Sequence, residues 1–194
     1  ASPLRDWLGT FAAGSLLILD EAHNAAPASG ARYAIDSQFT KAIRDLCPED
    51  STFVLQTGLA PGLVTSIGMH LLDALEAEGL KPIGLKQRVG ALPQVGELPG
   101  AYAMTWSAEG LINEYYQPVE RIKQGELFID VPLADLERLI INGEELEAFN
   151  TSGGLGDPSM YLARELDFAD YKTMRYPGHL AFLEHSLKKP LEAY

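Results

Sequence analysis

The sequence predicts an α+β fold: a mixed sheet with helices on one face, preceded by an α/β strand–helix–strand segment. Three patterns carry this expectation. Residues 15–19 and 52–56 are short apolar runs on either side of a helix-period stretch at 36–46, the pattern of a strand–helix–strand unit. The middle and C-terminal parts hold strand-like segments joined by short turns, and such runs of strands build α+β domains. Helix-period stretches at 63–78 and 179–187 bracket those strands.

The elements follow in order. A short helix is expected at 6–12, after Pro3. Residues 15–19 form a continuous apolar strand bounded by Gly14 and by Asp20 and Glu21. A loop of small residues with Pro27 and Gly30 leads to the helix at 36–46. Asp36 or Ser37 can cap that helix, Phe39, Ile43 and Leu46 share one face, and Pro48 stops it. After the second strand, 58–62 is a turn. The next helix carries Leu63, Ile67, Leu71 and Leu75 on one stripe and ends at Gly79, a residue suited to a left-handed C-terminal cap. Strands are expected at 83–89 and 101–107, and a short helix at 109–115. Segments 118–122 and 126–131 flank Gln124 and Gly125, which read as a hairpin turn. Segments 146–149 and 168–175 and a helix at 179–187 complete the pattern. Two parts are expected, 1–57 and 58–194.

A hydrophobic fraction of 46% argues for a packed core. The net charge of −12 repels phosphate backbones on average, so no nucleic-acid partner is expected. The longest apolar run, 16–19, is far short of a membrane span. No basic region precedes an apolar stretch at the N-terminus, so no signal peptide is expected. Cys47 is the single cysteine, which excludes an internal disulfide and a zinc site built on cysteine pairs. A reducing, cytoplasmic compartment is the corresponding expectation. His23, His70, His179 and His185 lack ligand spacing, so no metal site is expected, and His179 reads as a structural residue at the start of the last helix. Glu114 and Glu120 read as surface charges rather than an acid/base pair. Gly154 and Gly156 do not make a dinucleotide fingerprint, because Ser159 stands where its third glycine belongs. Asp157 and Pro158 are suited to open a helix there.

Five segments, in order and spacing, carry a family resemblance. They are Gly58-Leu-Ala-Pro-Gly-Leu63; Arg88-Val-Gly-Ala-Leu-Pro93; Thr105-Trp-Ser107 with Glu109-Gly-Leu-Ile-Asn-Glu-Tyr115; Glu147-Ala-Phe-Asn-Thr-Ser-Gly-Gly-Leu-Gly156; and Tyr171-Lys-Thr-Met-Arg-Tyr-Pro-Gly-His179. Together they resemble the C-terminal substrate domain of the saccharopine dehydrogenase and lysine 6-dehydrogenase family, over about residues 52–185. The resemblance implies an NAD- or NADP-dependent oxidoreductase acting on a carbon–nitrogen bond of an amino-acid-derived substrate, and a homodimer. It implies that Trp106, Ser107, Asn150, Thr151, Thr173 and Arg175 bind the substrate. It also implies that the turn Gly58, Leu59, Ala60, Pro61 and Gly62 borders the nicotinamide. No catalytic residue is assigned. Thr151 stands where fungal members carry arginine. The chemistry agrees with the residue types: Arg175 offers a planar fork to a carboxylate, Gly153, Gly154 and Gly156 let a backbone approach a ligand, and Trp106 offers an apolar wall.

The first residues, 1–47, carry a different resemblance. Leu16-Leu-Ile-Leu-Asp-Glu-Ala-His23 is similar to the DEAH segment of a superfamily 2 helicase. There Asp20 would serve Mg²⁺ and Glu21 the attacking water. No Gly-Lys-Ser/Thr occurs in the chain, which argues against ATP hydrolysis. The strand–helix–strand segment reads instead as the remnant of a Rossmann-like domain, as in a chimera or truncated gene. The expectation is therefore a substrate-binding and dimerisation domain, incomplete as an enzyme because the cofactor fingerprint is absent. The alternatives are a non-catalytic self-associating module and an ATPase or helicase fragment.

Overall fold

The computed structural model describes residues 16–18, 52–54, 58–93 and 108–187. The chain divides into two units, Ala1–Leu63 and Val64–Tyr194. In the first unit, β1 (Leu16–Ile18) and β2 (Thr52–Val54) pair in parallel, Leu17 opposite Phe53. Parallel pairing requires a long crossover between strands, in keeping with a strand–helix–strand segment. The expected helix at 36–46 lies outside the described residues, as do Asp20, Glu21 and His23. The turn at 58–62 is closed by the Leu63 N–H donating to the Gly58 carbonyl at 2.8 Å, and the Ala60–Pro61 bond is cis.

The second unit is built on a six-stranded mixed sheet. Its centre is β8 (Phe168–Arg175), with β3 (Gly84–Val89) parallel along one edge, from Gly84 opposite Phe168 to Val89 opposite Thr173. The other edge is shared end to end by two hairpins. In the first, β4 (Val119–Lys123) pairs with Phe168 and Ala169 and carries β5 (Glu126–Asp130) outside it. In the second, β7 (Glu144–Asn150) pairs with Lys172 to Arg175 and carries β6 (Glu137–Ile141). Both hairpin turns place their two central residues at positive φ, Gln124 at 55° and Gly125 at 76°, Asn142 at 52° and Gly143 at 83°. That is the turn twist that suits a two-residue hairpin.

Side chains alternate across a strand, so β8 has two distinct faces. Helix α1 (Leu63–Ala77) meets the face of Tyr171, Thr173 and Arg175: Gln87, opposite Tyr171, donates to the Val64 carbonyl at 3.3 Å. Helix α2 (Ala108–Tyr116) meets the same face through Tyr115 and Arg175, and α4 (His179–Leu187) through Glu147, which lies opposite Arg175. The three long helices thus cover one face, as the sequence predicts. The short α3 (Ser159–Leu162) is fixed by the fully buried Tyr161, whose hydroxyl donates to the Leu155 carbonyl at 2.8 Å.

The core of this unit joins Leu111 and Tyr115 of α2, Phe149 of β7, and Leu180 and Leu183 of α4. Helix α1 docks differently from what its stripe indicates. Thr65, Gly68 and Leu72 are buried, whereas Leu63, Ile67, Leu71 and Leu75 stay 40–56% exposed. The cause is close approach: a Cβ on Gly68 would stand 2.8 Å from a Leu85 methyl, so the narrow side of the helix meets the sheet. The helix ends at Gly79 with a Leu80 N–H to Leu75 carbonyl bond of 3.0 Å, the closing bond of a left-handed cap. Among the described residues, no helix is long and apolar enough to cross a membrane.

Candidate functional site

The helix-covered face of β7 and β8 buries a set of polar groups. Thr151, Thr173, Arg175 and Glu147 are each at most 6% exposed, and so is Tyr171. The hydroxyls of Thr151 and Thr173 lie 2.8 Å apart, and the Tyr171 hydroxyl is 3.4 Å from that of Thr173. Arg175 follows two residues on, on the same face. One Nη donates to the Met174 carbonyl at 2.8 Å and the other to the Tyr115 hydroxyl at 3.3 Å. Burial pushes the Tyr171 phenol up to about 12; the Thr173 bond offsets this in part, and the Glu114 charge adds to it. Tyr171 is therefore a protonated donor across the working pH range.

Two backbone segments frame these groups. The loop after β7 runs through Gly153 and Gly156, both at φ 81°. Between them Gly154 lies flat against the Tyr171 ring: a Cβ there would sit 2.1–2.4 Å from three ring atoms. The second segment is the start of α4. The Glu147 carboxylate accepts from the Leu180 N–H at 2.6 Å and the Gly178 N–H at 3.0 Å. It satisfies donors that a helix start leaves open and sits at the favourable end of the helix dipole. His179 is 4% exposed and stacks on Phe149 with ring centroids 6.4 Å apart. It is a packed residue at the helix start, in line with its reading from sequence.

The other face of β8 is ionic. Arg88 donates to Asp170 at 2.5 Å and to Glu137 at 2.7 Å. Arg121 reaches Asp130, Asp135 and Asp170 at 2.9, 3.1 and 3.3 Å. Lys172 reaches Asp135 and Glu137 at 3.1 and 3.4 Å. All of these charges except Asp130 line a shallow depression of about 550 Å³. The Asp135 carboxyl is held below its usual range, chiefly by Lys172 and then by Arg121, against burial. Burial acts most strongly on Glu137, but Arg88 and Lys172 outweigh it and also lower its carboxyl. These pairs tie the two hairpins together where they meet on β8.

The residues assigned from sequence divide between these faces. Thr151, Thr173 and Arg175 come together on the helix-covered face. Asn150 does not join them. Its amide donates toward Asp130 at 3.3 Å and the Val131 carbonyl at 3.4 Å, so it anchors β7 to the chain after β5. Trp106 and Ser107 lie outside the described residues. Gly58, Leu59, Ala60, Pro61 and Gly62 belong to the first unit. Sequence reasoning missed Glu147 and Tyr171, although both stand inside the segments that carry the resemblance.

The loop at 153–156 does not form a phosphate cradle. The space a phosphate would need at Gly154 is filled by the Tyr171 ring, and the helix that follows has four residues. This loop does not fit a dinucleotide. Among the described residues no group of three or more His, Cys, Asp or Glu is placed to hold a metal ion.

The model of the saccharopine dehydrogenase C-terminal domain matches residues 58–189, more than half of the chain. The chain belongs to the saccharopine dehydrogenase family. A solved structure, apo histidine-tagged saccharopine dehydrogenase (L-Glu forming) from Saccharomyces cerevisiae, is similar at a TM-score of 0.58 and 23% identity. The match covers 75% of this chain and 35% of that one. At that identity the likeness concerns the fold, and it agrees with the α+β sheet described above. The chain thus spans about a third of the length of the protein it matches.

Proposed function

We propose that this chain supplies the substrate-binding part of an NAD(P)-dependent oxidoreductase acting on a carbon–nitrogen bond of an amino-acid-derived substrate. In this reading Thr151, Thr173 and Arg175 hold a substrate carboxylate. One observation carries it: two hydroxyls 2.8 Å apart share a buried sheet face with a guanidinium, within segments of the matched family domain. Charge-assisted hydrogen bonds from a planar guanidinium suit a carboxylate. Trp106 and Ser107 enter the proposal through the resemblance alone, as does the turn at 58–62 beside the nicotinamide. Asn150 is left out, because its side chain serves the opposite face. A homodimer belongs to the same proposal, and the outer strand β5, with Leu127, Phe128 and Ile129 each at least 41% exposed, offers it an apolar edge.

The test is calorimetric titration of the chain with saccharopine, with NADPH followed separately by nicotinamide fluorescence. Saturable saccharopine binding is expected. Arg175→Lys keeps the charge but loses the fork, and should weaken binding by about 1.5–3 kcal/mol. No saccharopine binding at millimolar concentration would sink this reading and leave a self-associating module. NADPH binding would place a cofactor site in this chain outside the loop at 153–156.

A further inference from the structure

Tyr171, Thr173 and Thr151 form a line of three buried hydroxyls. Their protons can be counted. Three hydroxyls carry three protons, and the two contacts in the line, 3.4 and 2.8 Å, take up two. One proton therefore needs an acceptor beyond the line. An unsatisfied buried donor costs more than a satisfied hydrogen bond contributes on balance, so an oxygen is called for.

The chemistry of the groups indicates which end that proton leaves from. The Tyr171 phenol stays protonated, and the hydroxyl it touches is that of Thr173. A phenol is a better donor and a poorer acceptor than an alkyl hydroxyl, so Tyr171 gives its proton to Thr173. The ring cannot swing away, because it is packed on the Gly154 backbone. With Tyr171 donating inward, the surplus proton leaves from one of the two threonines. Chains of hydrogen bonds polarise one another, which strengthens that outward donor.

We propose that Tyr171 is a positioning residue: by donating to Thr173 it turns the surplus threonine proton outward, onto an oxygen of the bound substrate carboxylate. This rests on the carboxylate reading of the previous subsection. Arg175 on the same face favours an anion over water as the acceptor. Tyr171 does not touch the substrate; it acts through the threonines. In its absence the two threonine hydroxyls are free to turn either way, and the outward donor is no longer enforced.

The test is calorimetry of the full chain with saccharopine. Tyr171→Phe keeps the ring on Gly154 and removes only the hydroxyl. It should weaken binding about five- to tenfold, the worth of one oriented hydrogen bond. In a background with both Thr151→Val and Thr173→Val, the same substitution should have no effect. Such non-additivity is the mark of one residue acting through another. An equal loss in both backgrounds would mean a packing role and overturn the proposal. So would unchanged affinity of Tyr171→Phe in a chain whose binding still responds to Arg175→Lys; that result would leave the carboxylate reading standing. If the unaltered chain does not bind saccharopine, both readings fall together. If the double valine variant binds as well as the unaltered chain, the threonines are outside the site and both again fall.

Discussion

Gly154→Ala should destabilise the protein through a clash with the Tyr171 ring. The added methyl would stand 2.1, 2.3 and 2.4 Å from Cε1, Cδ1 and Cζ of Tyr171. Carbon atoms pack at about 3.5–4.0 Å, so the overlap exceeds 1 Å at three atoms of a rigid ring. Tyr171 is 6% exposed and sits on the central strand, so the ring has little room to retreat. Overpacking of this kind costs about 1–3 kcal/mol, and three simultaneous contacts place it near the upper end. The alanine also reduces the freedom of the unfolded chain, which returns about 0.4–1 kcal/mol. The net expectation is a loss of about 2 kcal/mol, or about 4–8 °C in Tm for a chain of this size. Gly153→Ala is the control. Nothing lies within 4 Å of its Cβ position, but its φ is 81°, so it should lose about 1–2 kcal/mol from backbone conformation alone. Thermal melting by circular dichroism, with and without Tyr171→Leu, separates the two causes. Removing the ring should rescue Gly154→Ala and leave Gly153→Ala as it was. A Gly154→Ala variant as stable as the parent would refute the packing of this loop on Tyr171.

Other perturbations test the frame around these groups. Glu147→Gln keeps one acceptor for two N–H donors, at Leu180 and Gly178, and loses the charge at the start of α4; a cost of about 1–2 kcal/mol is expected in urea unfolding. Acid should weaken the ionic face. Asp135 and Glu137 have lowered carboxyl values in the folded state, so their stabilisation is complete above the ordinary carboxylate range of about 4 and is lost as pH falls through the lower folded values. Urea midpoints between about pH 6 and about pH 2 should therefore drop toward acid, and Asp135→Asn should flatten that drop; an unchanged acid limb would show that the pair carries no linkage. The Arg175→Lys and Tyr171→Phe titrations complete the set.

Much of the second unit was legible in the sequence because local signals agreed with tertiary structure. The helix ending at Gly79, the Gln124–Gly125 hairpin, the strand at 168–175 and the helix at 179–187 all stand where period and turn residues place them. The hairpin of β6 and β7 was missed, although Asn142 and Gly143 are a strong turn pair. The charges of Glu144 and Glu145 obscure the alternation that follows them. The stripe of Leu63, Ile67, Leu71 and Leu75 has helical period, yet period identifies a face without saying what covers it. Here Gly68 sets the docking side. Asn150 and Thr151 look equivalent in sequence, but adjacent strand positions point to opposite faces, which sends one to the ionic network and the other to the hydroxyl line. Glu147 resembles the surface acids before it. Its role at a helix start about thirty residues on is a tertiary fact.

The two faces depend on each other through the backbone of β8. Its edge toward the hairpins pairs at Phe168 and Ala169 with β4 and from Lys172 onward with β7, so Asp170 and Tyr171 stand at the junction between them. Side chains bridge that junction instead. On one face Asp170 holds Arg88 and Arg121, and Lys172 holds Asp135 and Glu137. On the other face the same stretch of backbone presents Tyr171 and Thr173. The strand breaks the usual alternation of apolar inside and polar outside, since both its faces bury polar groups. A buried polar network is tolerated best when its members are satisfied, and the acids and bases of the ionic face pair with one another, although among the described residues the Arg121 Nε finds no acceptor. Among the described residues, the hydroxyl line pairs two of its three protons within itself. In the proposed function the third proton serves a ligand on the Tyr171 face, while the charged face holds the strand.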